Sequence, residues 1–174
     1  MEITDPRAMR ALAHPLRLDL MDLLVRIGPA TAAVCARHLN TSQASCSFHL
    51  RQLAKYGYVA EAESEDQRER PWKVVDKRQN ISAETGGVAA TELSRVFVER
   101  EAARLIGWTT EGRGRASEEW RGASFLHGIT AELTPQELDE VGKQLMAVMA
   151  PYIDRTPAPD GASFVRVLLT GIPT

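Results

Sequence analysis

Apolar residues in the first half of the chain recur at helical spacing three times and then give way to two short β-type runs. Leu16, Leu20, Leu23, Leu24 and Ile27 form the first stripe. His14-Pro15-Leu16-Arg17 leads into it, with Pro at a first helical position that does not need its N–H. Gly28-Pro29 ends it. Thr31–Leu39 (TAAVCARHL) predicts a short amphipathic helix with Val34, Cys35 and Leu39 available for burial, and Asn40-Thr41 makes a turn. The next stretch, Ser42–Val59, reads SQASCSFHLRQLAKYGYV. A hydroxyl of Thr41 or Ser42 can cap a helix here by accepting from an otherwise unpaired backbone N–H. Cys46, Leu50 and Leu53 then share one face at i, i+4, i+7. Gly57 supplies the positive φ that closes a helix. Val59–Glu63 and Trp72–Val75 read as strands joined by a charged tip, Ser64–Arg70. Three helices followed by a β-hairpin predict a winged helix-turn-helix.

The face of the third helix opposite its apolar stripe carries Ala44, Ser47, Phe48, Arg51 and Lys55. Short hydrogen-bonding side chains near base edges and cations beside phosphates are what a helix in the DNA major groove requires. The net charge of −2 hides an asymmetry. Residues 1–80 hold 12 Lys and Arg against 10 Asp and Glu (+2), and residues 81–174 hold 9 against 13 (−4). No acid occurs between Asp22 and Glu61, while Arg26, Arg37, Arg51 and Lys55 lie in that gap. The basic footprint coincides with the proposed reading helix. In the wing tip, Arg68 and Arg70 are expected to reach phosphates. The competing reading is a solvated turn with weak cross-strand ion pairs. Trp72 is expected to pack the hairpin on the core.

The run ALAHPLRLDLMDLL, followed by SQASCSFHLRQLAKYGYV and RERPW, resembles the ArsR-like family of bacterial winged-helix repressors over roughly residues 5 to 76. The pattern at Ser42, Gln43, Ser47, His49 and Leu50, combined with His14, Pro15 and Arg17, carries the resemblance. It implies a homodimer that binds an operator in double-stranded DNA and responds to a signal. It places base reading at Gln43, Ala44, Ser47 and Phe48. Phe48 departs from the polar residue common there and suits a thymine methyl or a sugar face. Thr41, Ser42, Ser45, Arg51, Arg68 and Arg70 complete the expected DNA-binding set.

Thiol-based metal sensing is frequent among such proteins, and this chain lacks the pattern. The helix that carries closely spaced cysteines in arsenic-type sites offers only Cys35, and Cys46 falls on the buried stripe. Both read as small buried hydrophobes. His14, His38, His49 and His127 are scattered, although His38 and His49 could lie near each other. No metal site and no cofactor are expected. No nucleophile–base pair, phosphate loop or paired carboxylates stand out, so no enzyme is expected. No apolar run is long enough to span a bilayer and no signal peptide opens the chain, which leads to an expected cytoplasmic location.

The fold class expected overall is α+β, mostly α. A winged helix-turn-helix over residues 1–80 precedes a dimerisation and candidate effector-binding extension over 81–174. Ile81–Gly87 reads as a linker. Val88–Trp108 predicts a long helix with Leu93, Val96, Phe97, Ala103 and Ile106 apolar, broken at Gly112–Ser117. This helix, helped by Ile3–Leu12, is the expected dimerisation element, because its stripe must be buried somewhere. Thr134-Pro135-Gln136-Glu137 predicts a helix start by capping box and N1 proline. Leu138, Val141, Leu145, Val148, Met149 and Tyr152 form its apolar face, with Pro151 and then Pro157-Ala158-Pro159 expected to end it. Ala123–Leu133 and Ser163–Thr170 read as strands that could pair with each other, giving a small α/β extension. Trp108, Trp120 and Phe125 are either the lining of a small-molecule effector pocket or simply core. The alternative to a DNA-binding regulator is a winged-helix protein-interaction or dimerisation module.

Overall fold

The computed structural model describes residues 5–63, 70–76, 87–153 and 155–173. Packing divides the chain into two compact units, Met1–Arg104 and Leu105–Thr174.

The first unit is a winged helix-turn-helix. Helix α1 spans Pro6–Leu12, α2 Pro15–Ile27, α3 Ala32–His38 and α4 Gln43–Lys55. Each of the four begins on a side-chain cap: Asp5, His14, Thr31 and Ser42 accept from the backbone N–H of Arg7, Leu16, Val34 and Ser45. At the end of α4, Gly57 at φ 75° lets its own N–H reach Ala54 and that of Tyr58 reach Leu53, which satisfies two terminal carbonyls. Strands β1 (Val59–Glu61) and β2 (Trp72–Val74) pair antiparallel, with Val59 opposite Val74 and Glu61 opposite Trp72. Both are shorter than predicted. Ala30, ahead of α3, exchanges backbone hydrogen bonds with Trp72 at 2.8 and 3.0 Å and anchors the wing to the three-helix body. The core gathers Leu18, Leu20 and Leu24 of α2, Cys35 of α3, Cys46, Leu50 and Leu53 of α4, and Tyr58 and Val59. The Tyr58 hydroxyl donates to the Ala8 carbonyl at 2.9 Å, tying the wing's root to α1.

Helix α5 (Val88–Gly107) buries Ala89, Ala90, Leu93 and Val96 in this same core. Its next turns meet α2 through charge. Arg100 pairs with Asp19 and Asp22, each at 2.6 Å, and Arg104 pairs with Asp22 and with Glu101, itself only 4% exposed. The helix therefore docks on the winged helix through its own residues. Val88 and Ile106, at 86% and 61% exposure, stay outside.

The predicted break at Gly112–Ser117 falls at the end of that stretch. A π-helical turn (Trp108–Gly112) and α6 (Arg113–Arg115) continue the helix, and extended backbone starts at Ala116. Gly112 allows this because the Trp108 ring lies across it; a Cβ there would sit 2.9 Å from Trp108 Cε3. Helix α7 covers Glu118–Ala123 and α8 Pro135–Ile153. The capping box at α8 is formed as predicted: Glu137 N–H donates to Thr134 Oγ1, and Thr134 N–H donates to the Glu137 carboxylate at 2.7 Å. Pro151 does not end α8, which runs on to Ile153. In a final turn the missing N–H forgoes a single bond.

The strands expected over Ala123–Leu133 and Ser163–Thr170 are absent. Ala123 closes α7, and the rest of both segments is irregular. β-branched and aromatic composition favours a strand only where a neighbouring strand supplies hydrogen bonds, and none is offered within one chain. Residues 105–174 are thus helix and irregular chain, and none of those described is buried.

Candidate nucleic-acid interface

Helix α4 presents the predicted outer face. Ser42, Gln43, Ala44, Phe48, Arg51 and Lys55 are exposed, and Thr41, Ser45 and Ser47 are partly so. Cys46, Leu50 and Leu53 fix the helix from behind at 0% exposure. The outer face is therefore set by a rigid seat, with rotation about the helix axis fixed by three buried side chains. No acid occupies the first turn of α4. Its N-terminal N–H groups and the positive end of its dipole face outward without a neutralising carboxylate, which suits a phosphate.

Arg51 donates to the Ser47 hydroxyl at 2.8 Å along one helical turn. That bond holds the guanidinium along the outer face, beside the Ser47 hydroxyl. Phe48 stands 52% exposed, its ring edge-on to His49 at 5.2 Å. A half-exposed phenyl amid polar side chains leaves apolar surface on the outer face, of the kind that suits a thymine methyl. Sequence reasoning passed over one feature beside this face. Asn40, at φ 48°, turns the chain between α3 and α4, and an open groove of about 400 Å³ is lined by Ala33, Ala36, Arg37, Asn40, Thr41 and Gln43. Arg37 thereby joins the basic rim. The signal for it was its place in the acid-free gap.

In the wing, Arg70 lies 3.6 Å from Glu61, with both side chains largely exposed. This is the cross-strand ion pair of the competing reading, and its solvent exposure leaves the guanidinium free to exchange partners. Arg68 lies outside the described residues. Trp72 packs against the core as expected.

Two of the histidines meet, and they are not the pair that the sequence suggested. The neighbour of His49 is His14, with ring centroids 4.5 Å apart, and His38 is exposed. His14 Nδ1 caps α2, while His49 Nδ1 is buried without a hydrogen-bond partner. Burial first, and then the charge of Arg17, hold His14 below the usual 6.5. Burial, then His14 and Arg17, do the same for His49. A folded-state value below the unfolded one makes the unfolded chain bind more protons, so stability falls as pH drops through about 6.5. We expect the urea midpoint to decline between pH 7.5 and 5.5, and His49→Gln to flatten that decline. An equal slope in the variant would remove the pair as its cause.

Cys35 and Cys46 lie at 0% exposure. Burial and the nearby Cys46 push the Cys35 thiol up to about 11, and burial raises Cys46. Both therefore stay protonated at neutral pH and act as core volume. Among the described residues no group of three or more His, Cys, Asp or Glu is placed to hold a metal ion. The three aromatics of the suggested pocket differ in burial. Phe125 is 73% and Trp120 37% exposed, and Trp108 instead covers Gly112. No helix among the described residues is long and apolar enough to cross a membrane.

Residues 12–60 match the family described as a helix-turn-helix domain. The chain is also similar to the probable mercury resistance operon repressor of Streptomyces lividans, with 44% identity over 57 residues. That match takes in 33% of this chain and 45% of the relative, so the chain spans less than half the length of the curated protein it matches. Among solved structures it is similar to the transcriptional regulator Tm0710 of Thermotoga maritima, at 14% identity, covering 82% of this chain and 80% of that one, with a TM-score of 0.35. YusO of Bacillus subtilis matches at 13% identity over 84% of each chain, with a TM-score of 0.38. Both scores fall short of a shared overall architecture.

Proposed function

We propose that this protein is a sequence-specific, double-stranded-DNA-binding regulator of transcription of the ArsR-like kind, acting as a homodimer and as a repressor. One observation carries the reading: α4 is seated by three fully buried side chains and turns an exposed, acid-free face of Gln43, Ala44, Phe48 and Arg51 to solvent. Gln43, Ala44, Ser47 and Phe48 read bases. Thr41, Ser42, Ser45, Arg51, Arg68 and Arg70 position the backbone, with Arg37 beside them. Repression is supported by the name of the Streptomyces relative. The relative's association with mercury does not extend to a thiol sensor here, because both thiols are buried and protonated. The protein works by binding, not catalysis, and acts where the DNA is, in the cytoplasm. A protein-interaction module without DNA binding has no use for a cationic helix face that excludes carboxylates over nearly forty residues.

An operator titration tests the reading. Gln43→Ala should relax preference at one half-site base pair by ~1–3 kcal/mol, the size of a bidentate contact. Arg51→Ala should weaken all sequences alike and lower the salt slope by about one ion. Binding curves unchanged in both variants would remove α4 as the reading element.

A further inference from the structure

The extension carries two apolar segments that remain unpaired in a single chain. In the first, Phe125, Leu126 and Ile129 are 73%, 68% and 88% exposed, and no described residue from 125 to 133 makes a backbone–backbone hydrogen bond. In the second, Phe164, Val165 and Ile172 are 66%, 64% and 74% exposed. Arg166 aside, no backbone–backbone hydrogen bond occurs across residues 163–173 either. The end of the second segment meets the start of α8. Gly171 is so close that a Cβ would sit 2.8 Å from Leu138 Cδ1, and Val167 is half-buried. Phe164, Val165, Leu168 and Leu169 of the segment stay exposed, and Arg166 apart its residues make no backbone–backbone hydrogen bond.

We infer that Phe125–Leu133 of one copy of this chain pairs with Ser163–Thr170 of a second copy as β-strands, reciprocally, about a two-fold axis. Open backbone edges with β-branched and aromatic side chains are templates for strand addition. Each copy offers both halves of the pairing, so two copies satisfy each other and the assembly closes, as an isologous contact must. Size agrees as well. Eight exposed apolar side chains across Phe125–Leu133 and Ser163–Thr170, at up to about 100 Å² each, approach the ~800 Å² per partner of a stable interface. α8 meets the same need: Val141, Leu145, Val148 and Tyr152 lie exposed along one stripe. A 70-residue unit with no buried residue among those described gains a core when a second copy covers it. This inference rests on the homodimer of the proposed function and gives that dimer its mode of contact.

Hydrogen exchange on the full chain tests it, above and below the concentration at which sedimentation shows the dimer to dissociate. Amides of residues 125–133 and 163–170 should slow by a factor of about 100 or more in the dimer and return to fast exchange in the monomer. The double variant Phe164→Asp, Leu168→Asp should sediment as a monomer whose α4 still binds a single half-site. A wild-type dimer with both segments exchanging fast would overturn the strand pairing and leave the homodimer standing. Protection independent of concentration would show pairing within one chain and overturn the exchange. A wild-type chain that is monomeric at all concentrations would overturn both, with α4's half-site binding measured separately.

Discussion

Arg100→Ala is expected to destabilise the winged-helix unit by about 3–5 kcal/mol, the cost of leaving a buried charge without its partner. The Arg100 side chain is 12% exposed and joins Asp19 and Asp22 at 2.6 Å, with Glu101 at 3.8 Å. Three carboxylates share two guanidinium groups there, so removing one leaves an excess of negative charge between α2 and α5. Asp22 is 14% and Glu101 3% exposed, and water cannot take over the role of the lost cation. The same cluster sets a pH dependence. Burial raises the Asp22 carboxyl, but the hydrogen bonds and charges of Arg104 and Arg100 outweigh it and hold it below its usual 3.8. Its contribution is complete above 3.8 and is lost as pH falls through the lower folded-state value, well below the histidine window. Urea titration of Arg100→Ala and Asp22→Asn would measure both effects. A loss under 1 kcal/mol in Arg100→Ala would mean that α5 is held by its apolar residues alone.

The winged helix was legible because its signals are local. The i, i+4, i+7 stripe of Cys46, Leu50 and Leu53, the cap at Ser42 and the glycine at Gly57 are all read within one helix length, and the structure keeps each. The outer face followed by elimination, since residues that do not point inward on a fixed helix must point outward. Contacts between distant positions were not legible. The pairing of Arg100 with Asp19 spans 81 residues, and His49 meets His14 and not the nearer His38. Neither follows from any periodicity. In the extension, the capping box at Thr134 was readable for the same local reason as Ser42. The strands were not, because Ser163–Thr170 has the composition of a strand but strand formation depends on what lies beside it. The place of Trp108 was not legible either, because its ring is used within its own helical turn, over Gly112.

A chain ended after Arg104 is expected to stay folded, sediment as a monomer and lose operator affinity by about 10²- to 10⁴-fold, the gain that linking two half-site contacts provides. It retains every buried residue of the first unit, including Leu93 at 0% and Val96 at 9% exposure, and the ion cluster with Asp19 and Asp22. A palindromic operator needs two recognition helices about 34 Å apart, and this fragment has little to hold a second copy at that spacing. A chain ended after Ser82 should behave differently. Without α5 it exposes the core that Ala89, Ala90, Leu93 and Val96 cover, forfeiting roughly 1.5–3 kcal/mol for Leu93 alone. It also strands the carboxylates of Asp19 and Asp22 without arginines. Thermal melts should therefore separate the two fragments, the longer one cooperative and the shorter one largely unfolded. Operator titration and sedimentation then place the dimer contact. A longer fragment that dimerises tightly and binds at full strength would assign the contact to α1 and the outer side of α5, where Val88 and Val98 are exposed. It would also release residues 105–174 from any part in DNA binding.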